Sequence, residues 1–161
     1  MRPLTRALTM MALVAAPGIL PCAAQTTAAR RVLTLEGARA VVAAAEAEAK
    51  RGNAGGAIAV VDDGGHLILV VRLDGTFSAA ANISIGKARS AANFRKETSA
   101  FEDAIKNGRI SLVANPELLP LQGGVPIVVD GQVVGAVGVA GANSAQQDTD
   151  IARAAAVAVT K

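Results

Sequence analysis

The sequence has few aromatic side chains and no strongly basic stretch. It contains no Trp, no Tyr and only three Phe. Proteins that bind single-stranded nucleic acid usually stack bases on aromatic side chains, and a clustered Lys/Arg patch is the usual footprint of nucleic-acid binding. Neither feature is present, so we expect no nucleic-acid partner.

The single cysteine, Cys22, lies in a segment with the features of a secretory signal peptide. Residues 1–24 carry Arg2 and Arg6, then an apolar run, then small residues ending at Ala24. The run is shorter than the about 20 apolar residues that a membrane-spanning helix needs. We therefore expect cleavage after Ala24 and a periplasmic or secreted mature protein.

Removal of this segment changes what the composition implies. The formal net charge falls from +3 to +1 because Arg2 and Arg6 leave with it. The mature chain would contain no cysteine, which excludes disulfides, zinc–thiolate sites and cysteine nucleophiles. The remaining length suits one domain with its own core. We assign residues 25–34 to an N-terminal extension and residues 35–161 to that domain.

Local patterns predict helices that alternate with two β-hairpins. Thr34 is placed to cap the first helix, and Asp62-Asp63-Gly64-Gly65 is a typical hairpin turn. Helices are predicted at residues 35–51, 78–95, 98–107 and 147–159, strands at 57–61 and 67–73, and a loop at 112–120. Hairpins separated by helices indicate an α+β fold with one antiparallel sheet.

The second predicted hairpin is rich in glycine. Gly123-Gly124-Val125-Pro126-Ile127 leads through an Asp130-Gly131 turn to a strand with glycine at 135, 138 and 141. Glycine inside a strand often marks close approach by a ligand or another backbone. The spacing predicts a strand face almost without side chains, open to a ligand or to a neighbouring subunit.

These segments together resemble the GlcG/HbpS family of haem-binding or haem-degrading-like domains, also found at the C-terminus of PduO-type proteins. The resemblance spans about residues 35–159. The matching segments are Val60-Val61-Asp62, Gly64-Gly65, Arg72, Lys87-Ala88, Thr98-Ser99, residues 123–127, residues 135–139 with Gly141, and Gln147-Asp148. The resemblance implies a profilin/PAS-like sheet of about five strands flanked by helices. It also implies homo-oligomers and haem or another tetrapyrrole as ligand.

The resemblance favours Thr98 as a ligand of haem iron. A threonine in a Thr-Ser segment has that role in the haem-binding relative, where the preceding residue is Pro instead of Glu97. Thr98 is equally well placed to cap the helix that follows it. Phe94 and Phe101 flank it and would stack on a flat ligand or belong to the core. Arg95 would pair with a propionate or end a helix in solvent.

His66 is a second candidate iron ligand, because histidine commonly binds haem iron. It is the only histidine, and it is also explained as a solvated residue at the end of a turn.

We expect Asp62 and Arg72 to pair across the first hairpin, and Lys87 and Arg89 to lie on the outer or oligomer-facing side of their helix.

Two other functions remain open. The chain would be a cofactor-independent enzyme acting on a small organic acid or aldehyde, with an anion pocket formed by Arg72, Lys87, Gly123 and Gly124. Alternatively, it would be an accessory protein of a membrane sensor. Neither a phosphate loop nor a nucleophile elbow is present, so no catalytic residue is assigned.

Overall fold

The computed structural model describes residues 26–160. The predicted signal peptide, residues 1–24, lies outside the described residues. Within that range, none of the helices has the length and apolar character needed to cross a membrane.

The described chain has an α+β fold, as the sequence predicts. Its elements are α1 (Leu35–Arg51), β1 (Ala57–Asp62), β2 (Leu67–Arg72), α2 (Ala80–Phe94), α3 (Ser99–Lys106), a 3₁₀ helix (Ile110–Ala114), β3 (Gly124–Val129), β4 (Gln132–Ala140), α4 (Ala145–Ala156) and a short 3₁₀ helix (Val157–Val159). The 3₁₀ helix at 110–114 begins before the predicted loop and occupies its first residues.

The sheet in the described part has four antiparallel strands in the order β2-β1-β4-β3, one fewer than the roughly five expected. Each hairpin contributes two strands, and β1 and β4 join the hairpins at the centre. Ala59 pairs with Gly138, which in turn pairs with Gly124. A row of small residues therefore crosses three strands.

Strand alternation divides the core into two unlike halves. Ile58, Val60, Val137 and Val139 belong to the larger apolar cluster, which includes the buried faces of α1 and α4. On the opposite face, Ala59 and Ala136 pack with the alanines of α2. Small residues on this face allow α2 to lie very close to the sheet.

The close approach predicted from the glycines is made by α2 of the same chain. A Cβ atom on Gly138 would lie 2.1 Å from the Ser84 carbonyl oxygen, and one on Gly124 would lie 2.4 Å from that of Lys87. The prediction of a bare face open to a ligand or a subunit is therefore wrong. Gly135 and Gly138 also point to opposite faces, because side chains alternate along a strand.

The N-terminal extension is packed against the domain. Leu33 belongs to the larger cluster as a partly buried residue, and the backbone N–H of Arg31 donates to Gln132 Oε1 over 3.4 Å. Arg30 and Arg31 form ion pairs with Asp63 and Asp130, at 2.9 and 2.7 Å. We call residues 26–34 the N-terminal arm.

Candidate functional site

A buried ion pair links α2 to α4. Lys87 Nζ donates to Asp148 Oδ2 and to the Val139 carbonyl oxygen, each over 2.8 Å. The two side chains are only 5% and 8% exposed, and Asp148 Oδ1 accepts from the Ala142 N–H over 2.9 Å. The expectation that Lys87 lies on the outer side of its helix is wrong, because its charge has a buried partner 61 residues later.

Gly123 and Gly124 fit against this pair. Gly123 has φ +114°, and a Cβ atom there would lie 3.0 Å from Lys87 Nζ and 2.9 Å from Asp148 Cβ. The structure thus brings together three of the four residues of the alternative anion pocket, in a closed and buried arrangement. Arg72 is not among them, since it is exposed on the edge strand β2, opposite Ala57.

Arg72 and Asp62 do not pair as expected. In the antiparallel hairpin Arg72 lies opposite Ala57, at the end far from the turn, whereas Asp62 lies at the turn itself. Asp62 Oδ1 instead accepts the backbone N–H groups of Gly64 and His66, each over 2.9 Å. Arg89, in contrast, is exposed as predicted and donates to the Gly65 carbonyl oxygen over 3.3 Å.

Thr98 is fully buried and its hydroxyl group is engaged. Thr98 Oγ1 accepts from the Gly124 N–H over 2.8 Å, and the Thr98 N–H donates to the Gly124 carbonyl oxygen over 3.0 Å. Thr98 does precede α3, but its side chain makes no capping hydrogen bond. The hydroxyl joins the α2–α3 connection to β3 and caps nothing.

The residue before Thr98 also anchors this connection. The Glu97 carboxylate accepts from Arg153 of α4 through both of its oxygens, with distances of 2.7 to 3.2 Å. Hydrogen bonds from Arg153 outweigh burial and hold the pKa of Glu97 below its ordinary value. The Glu at the position of the relative's Pro thus ties α3 to α4.

Phe94 and Phe101 lie together at the ends of α2 and α3. Their ring centroids are 5.4 Å apart in an edge-to-face arrangement, and Phe94 is 38% exposed. Arg95 follows Phe94 in the left-handed conformation, with φ 52° and ψ 39°. Glycine is the commonest residue at such a helix end.

His66 is exposed beside the end of α2. Its side chain is 84% exposed, and its Nδ1 lies 3.3 Å from Asp62 Oδ1. A Cβ atom on the adjacent Gly65 would lie 2.7 Å from Asn93 Oδ1. Burial raises the pKa of Asp62, but hydrogen bonds from His66 and Gly64 bring it below its ordinary value.

One end of the sheet holds a cavity of about 490 Å³. Four segments form it: the N-terminal arm, the β1–β2 turn, the β3–β4 hairpin and the C-terminal end of α2. Its lining residues are Arg30, Arg31, Asp63, Arg95, Gly131, Gln132 and Val133. No sequence pattern predicted this cavity. The adjacent Arg30 and Arg31 were a signal for it, but they were assigned only to an N-terminal extension.

Known proteins resemble this chain over most of its length. The family model "Haem degrading protein HbpS-like" matches residues 33–157. Protein GlcG of Escherichia coli K12 is 49% identical over 108 residues, which cover 67% of this chain and 81% of GlcG.

Solved structures share the fold. A double mutant of HbpS from Streptomyces reticuli superposes with a TM-score of 0.77 at 31% identity, covering 90% of this chain and 100% of that one. A PduOC:haem complex superposes with a TM-score of 0.71 at 22% identity, covering 80% and 95%, which shows a common fold. With its α+β architecture and a family match across nearly all of the domain, the chain belongs to the HbpS-like family, as the resemblance to GlcG and HbpS predicts.

Proposed function

We propose that this protein is exported and binds haem or a related tetrapyrrole. The family is described as haem degrading, and a structure of the same fold is a haem complex. The observation that carries the proposal for this chain is the exposed imidazole of His66 beside the end of α2.

His66 fits an axial ligand better than Thr98 does. Metal-binding histidines commonly donate one ring N–H to a carboxylate, which leaves the other nitrogen free for the metal. Asp62 Oδ1 is placed for this contact at 3.3 Å from His66 Nδ1, and the side chain is mostly exposed. Ligation by Thr98 would require its hydroxyl to leave the Gly124 N–H, and Thr98 itself has no exposed surface.

Exposed apolar side chains offer further contacts for a flat apolar ligand. Leu67, the residue after His66, is 45% exposed, and Phe94 is 38% exposed. Bound haem would supply an iron centre that accepts an imidazole nitrogen. The chain would supply that nitrogen and keep the His66 Nδ1–H group hydrogen-bonded to the Asp62 carboxylate.

Haemin titration into the purified mature protein tests this proposal. We expect a saturable shift of the Soret band, and at least tenfold weaker binding in His66→Ala. Thr98→Val keeps the side-chain shape without the hydroxyl, and we expect it to retain binding once circular dichroism shows that it is folded. A missing or unsaturable shift in the wild type would refute haem binding, and loss of the shift in Thr98→Val alone would return the ligand role to Thr98.

We also propose that the protein forms a homo-oligomer. Ile110 and Val113 of the first 3₁₀ helix are 69% and 66% exposed, and Leu121 is 44% exposed. In the described chain, no residue of α3 or of this 3₁₀ helix is buried. An apolar surface of this kind is typical of an interface between proteins.

The roles as a small-acid enzyme and as accessory to a membrane sensor stay predictions.

A further inference from the structure

The cavity at the hairpin end of the sheet is lined mainly by guanidinium groups. Arg30, Arg31 and Arg95 contribute three positive charges, and Asp63 contributes one negative charge. We propose that this cavity is a binding site for a small organic dianion that carries two carboxylate groups. Asp130, which pairs with Arg31 next to Gly131 of the lining, adds a second negative charge, so the local net charge is +1. The three guanidinium groups together offer more N–H donors than one carboxylate group accepts, which suits a ligand with two.

The arginines keep donors available. Arg30 contacts Asp63 through Nη2 alone, and Arg31 contacts Asp130 through Nη2 alone. A guanidinium group has five N–H donors in a fixed fork that suits carboxylate oxygens. The two ion pairs therefore hold these side chains in place at the cavity and leave several N–H groups of each free to bind a ligand.

The positive charge of Arg95 has no carboxylate partner in the described part of the chain. Among residues 26–160, its side chain takes part in no ion pair and no hydrogen bond, whereas the other two arginines each have a carboxylate partner. An exposed cation at the wall of a cavity with two more guanidinium groups attracts anions, since the local potentials add. Arg95 is the side chain on which we expect binding to depend most.

The cavity is lined by residues of the domain and by residues of a segment that precedes the family match. The family model begins at residue 33, so Arg30 and Arg31 precede it, while Arg95 lies within it. The N-terminal arm reaches the cavity because Arg31 is bound both to the Gln132 side chain and to Asp130. The site thus depends on this chain's own arm, and His66, the proposed iron ligand, is not among its lining residues.

Isothermal titration of the purified mature protein with disodium succinate at low ionic strength tests the proposal. We expect saturable binding, at least about tenfold weaker in Arg95→Gln, because that variant loses a charge-assisted hydrogen bond to the ligand. Tenfold corresponds to about 1.4 kcal/mol. Arg30→Gln should weaken binding as well. Arg109→Gln is the matched control, since it removes the same charge from an exposed residue that does not line the cavity.

Several results would overturn the site. Absence of saturable succinate binding is one, and an equal loss in Arg109→Gln and Arg95→Gln is another, because it would indicate general attraction of anions. Tighter binding of inorganic phosphate than of succinate would overturn the dicarboxylate assignment. His66→Ala should bind succinate as the wild type does, so this test and the haemin titration succeed or fail separately.

Discussion

Among single residues, Lys87 and Asp148 form the contact with the greatest expected effect on stability. Both side chains are nearly inaccessible, and each has two hydrogen-bond partners: the ammonium group donates to Asp148 and Val139, and the carboxylate accepts from Lys87 and Ala142. A buried ion pair adds little net stability over apolar residues, but removal of one partner leaves an uncompensated charge. The pair therefore makes the fold sensitive to single substitutions at either end.

We expect Lys87→Met to lower the free energy of unfolding by about 3–5 kcal/mol, because it leaves the Asp148 carboxylate buried without its cation. Denaturant unfolding monitored by circular dichroism measures the change. The matched control is Lys106→Met: Lys106 pairs with Glu102 at 2.8 Å but is 60% exposed, so we expect a much smaller loss, because solvent screens an exposed pair.

The double variant Lys87→Met/Asp148→Asn distinguishes a lost pair from lost packing. Asn keeps an oxygen for the Ala142 N–H and carries no charge, so the double variant should be more stable than the sum of the single effects by more than about 1 kcal/mol. Additive effects would contradict the interpretation.

The sequence predicted the position of Thr98 at the start of a helix and missed what its hydroxyl does. Helix starts follow from residue types within a few positions, and α3 does begin at Ser99. The partner of Thr98 is Gly124, 26 residues away, and no local pattern identifies a partner at that distance. The same reason explains the wrong placement of Lys87.

At the scale of elements, local signals predicted most of the helices and both hairpins. Thr34 caps α1 with a 3.0 Å hydrogen bond from the Gly37 N–H, and apolar residues of that helix, including Val41 and Ala45, are buried. The ends of α2 and α4 differ from the prediction by a few residues. Repeating patterns thus predicted the elements. The spacing of the glycines in β4 was wrongly taken to place them on one face, because side chains alternate between the two faces along a strand.

Helix α2 rests on the sheet through backbone contacts, and Gly138→Ala tests this. A Cβ atom there would lie 2.1 Å from the Ser84 oxygen and 2.6 Å from the Ala88 nitrogen. Backbone atoms on both sides cannot move without separating helix and sheet, so we expect a loss on the order of 3 kcal/mol in the free energy of unfolding.

Gly52→Ala is the control for that variant. Gly52 has φ −85°, and the nearest atom to an added Cβ is the end of the flexible Gln147 side chain. We expect a change within about 1 kcal/mol, measured in the same denaturant titration. Equal effects of the two substitutions would show that α2 does not limit the space at Gly138.

At the scale of the whole molecule, the order of the strands and the position of the N-terminal arm could not be predicted from the sequence. Each hairpin is local, but the pairing of β1 with β4 joins segments about 80 residues apart, and one sequence contains no periodic signal for it. The arm illustrates the same limit, since the partner of Arg30 is Asp63 in the turn of the first hairpin, and no local pattern identifies it.

The proposed export of the protein is tested on the full chain. We expect periplasmic protein from a Gram-negative host to have the mass of a chain that begins at Gln25, because Ala23 and Ala24 form a small-residue cleavage site. Ala24→Arg should block cleavage, and Ala29→Arg, five residues beyond the site, should not. A cytoplasmic product that begins at Met1 would contradict the prediction.

The row formed by Ala59, Gly138 and Gly124 also bears on motion. Side chains between a helix and a sheet act as compliant spacers, because rotamer changes allow small sliding movements, but here the main chain of α2 rests on the main chain of the strands. Helix α2 and the central strands will therefore move as one rigid body. Adjustment to a ligand falls to the parts held by side chains alone, the N-terminal arm and the segment from α3 to the first 3₁₀ helix.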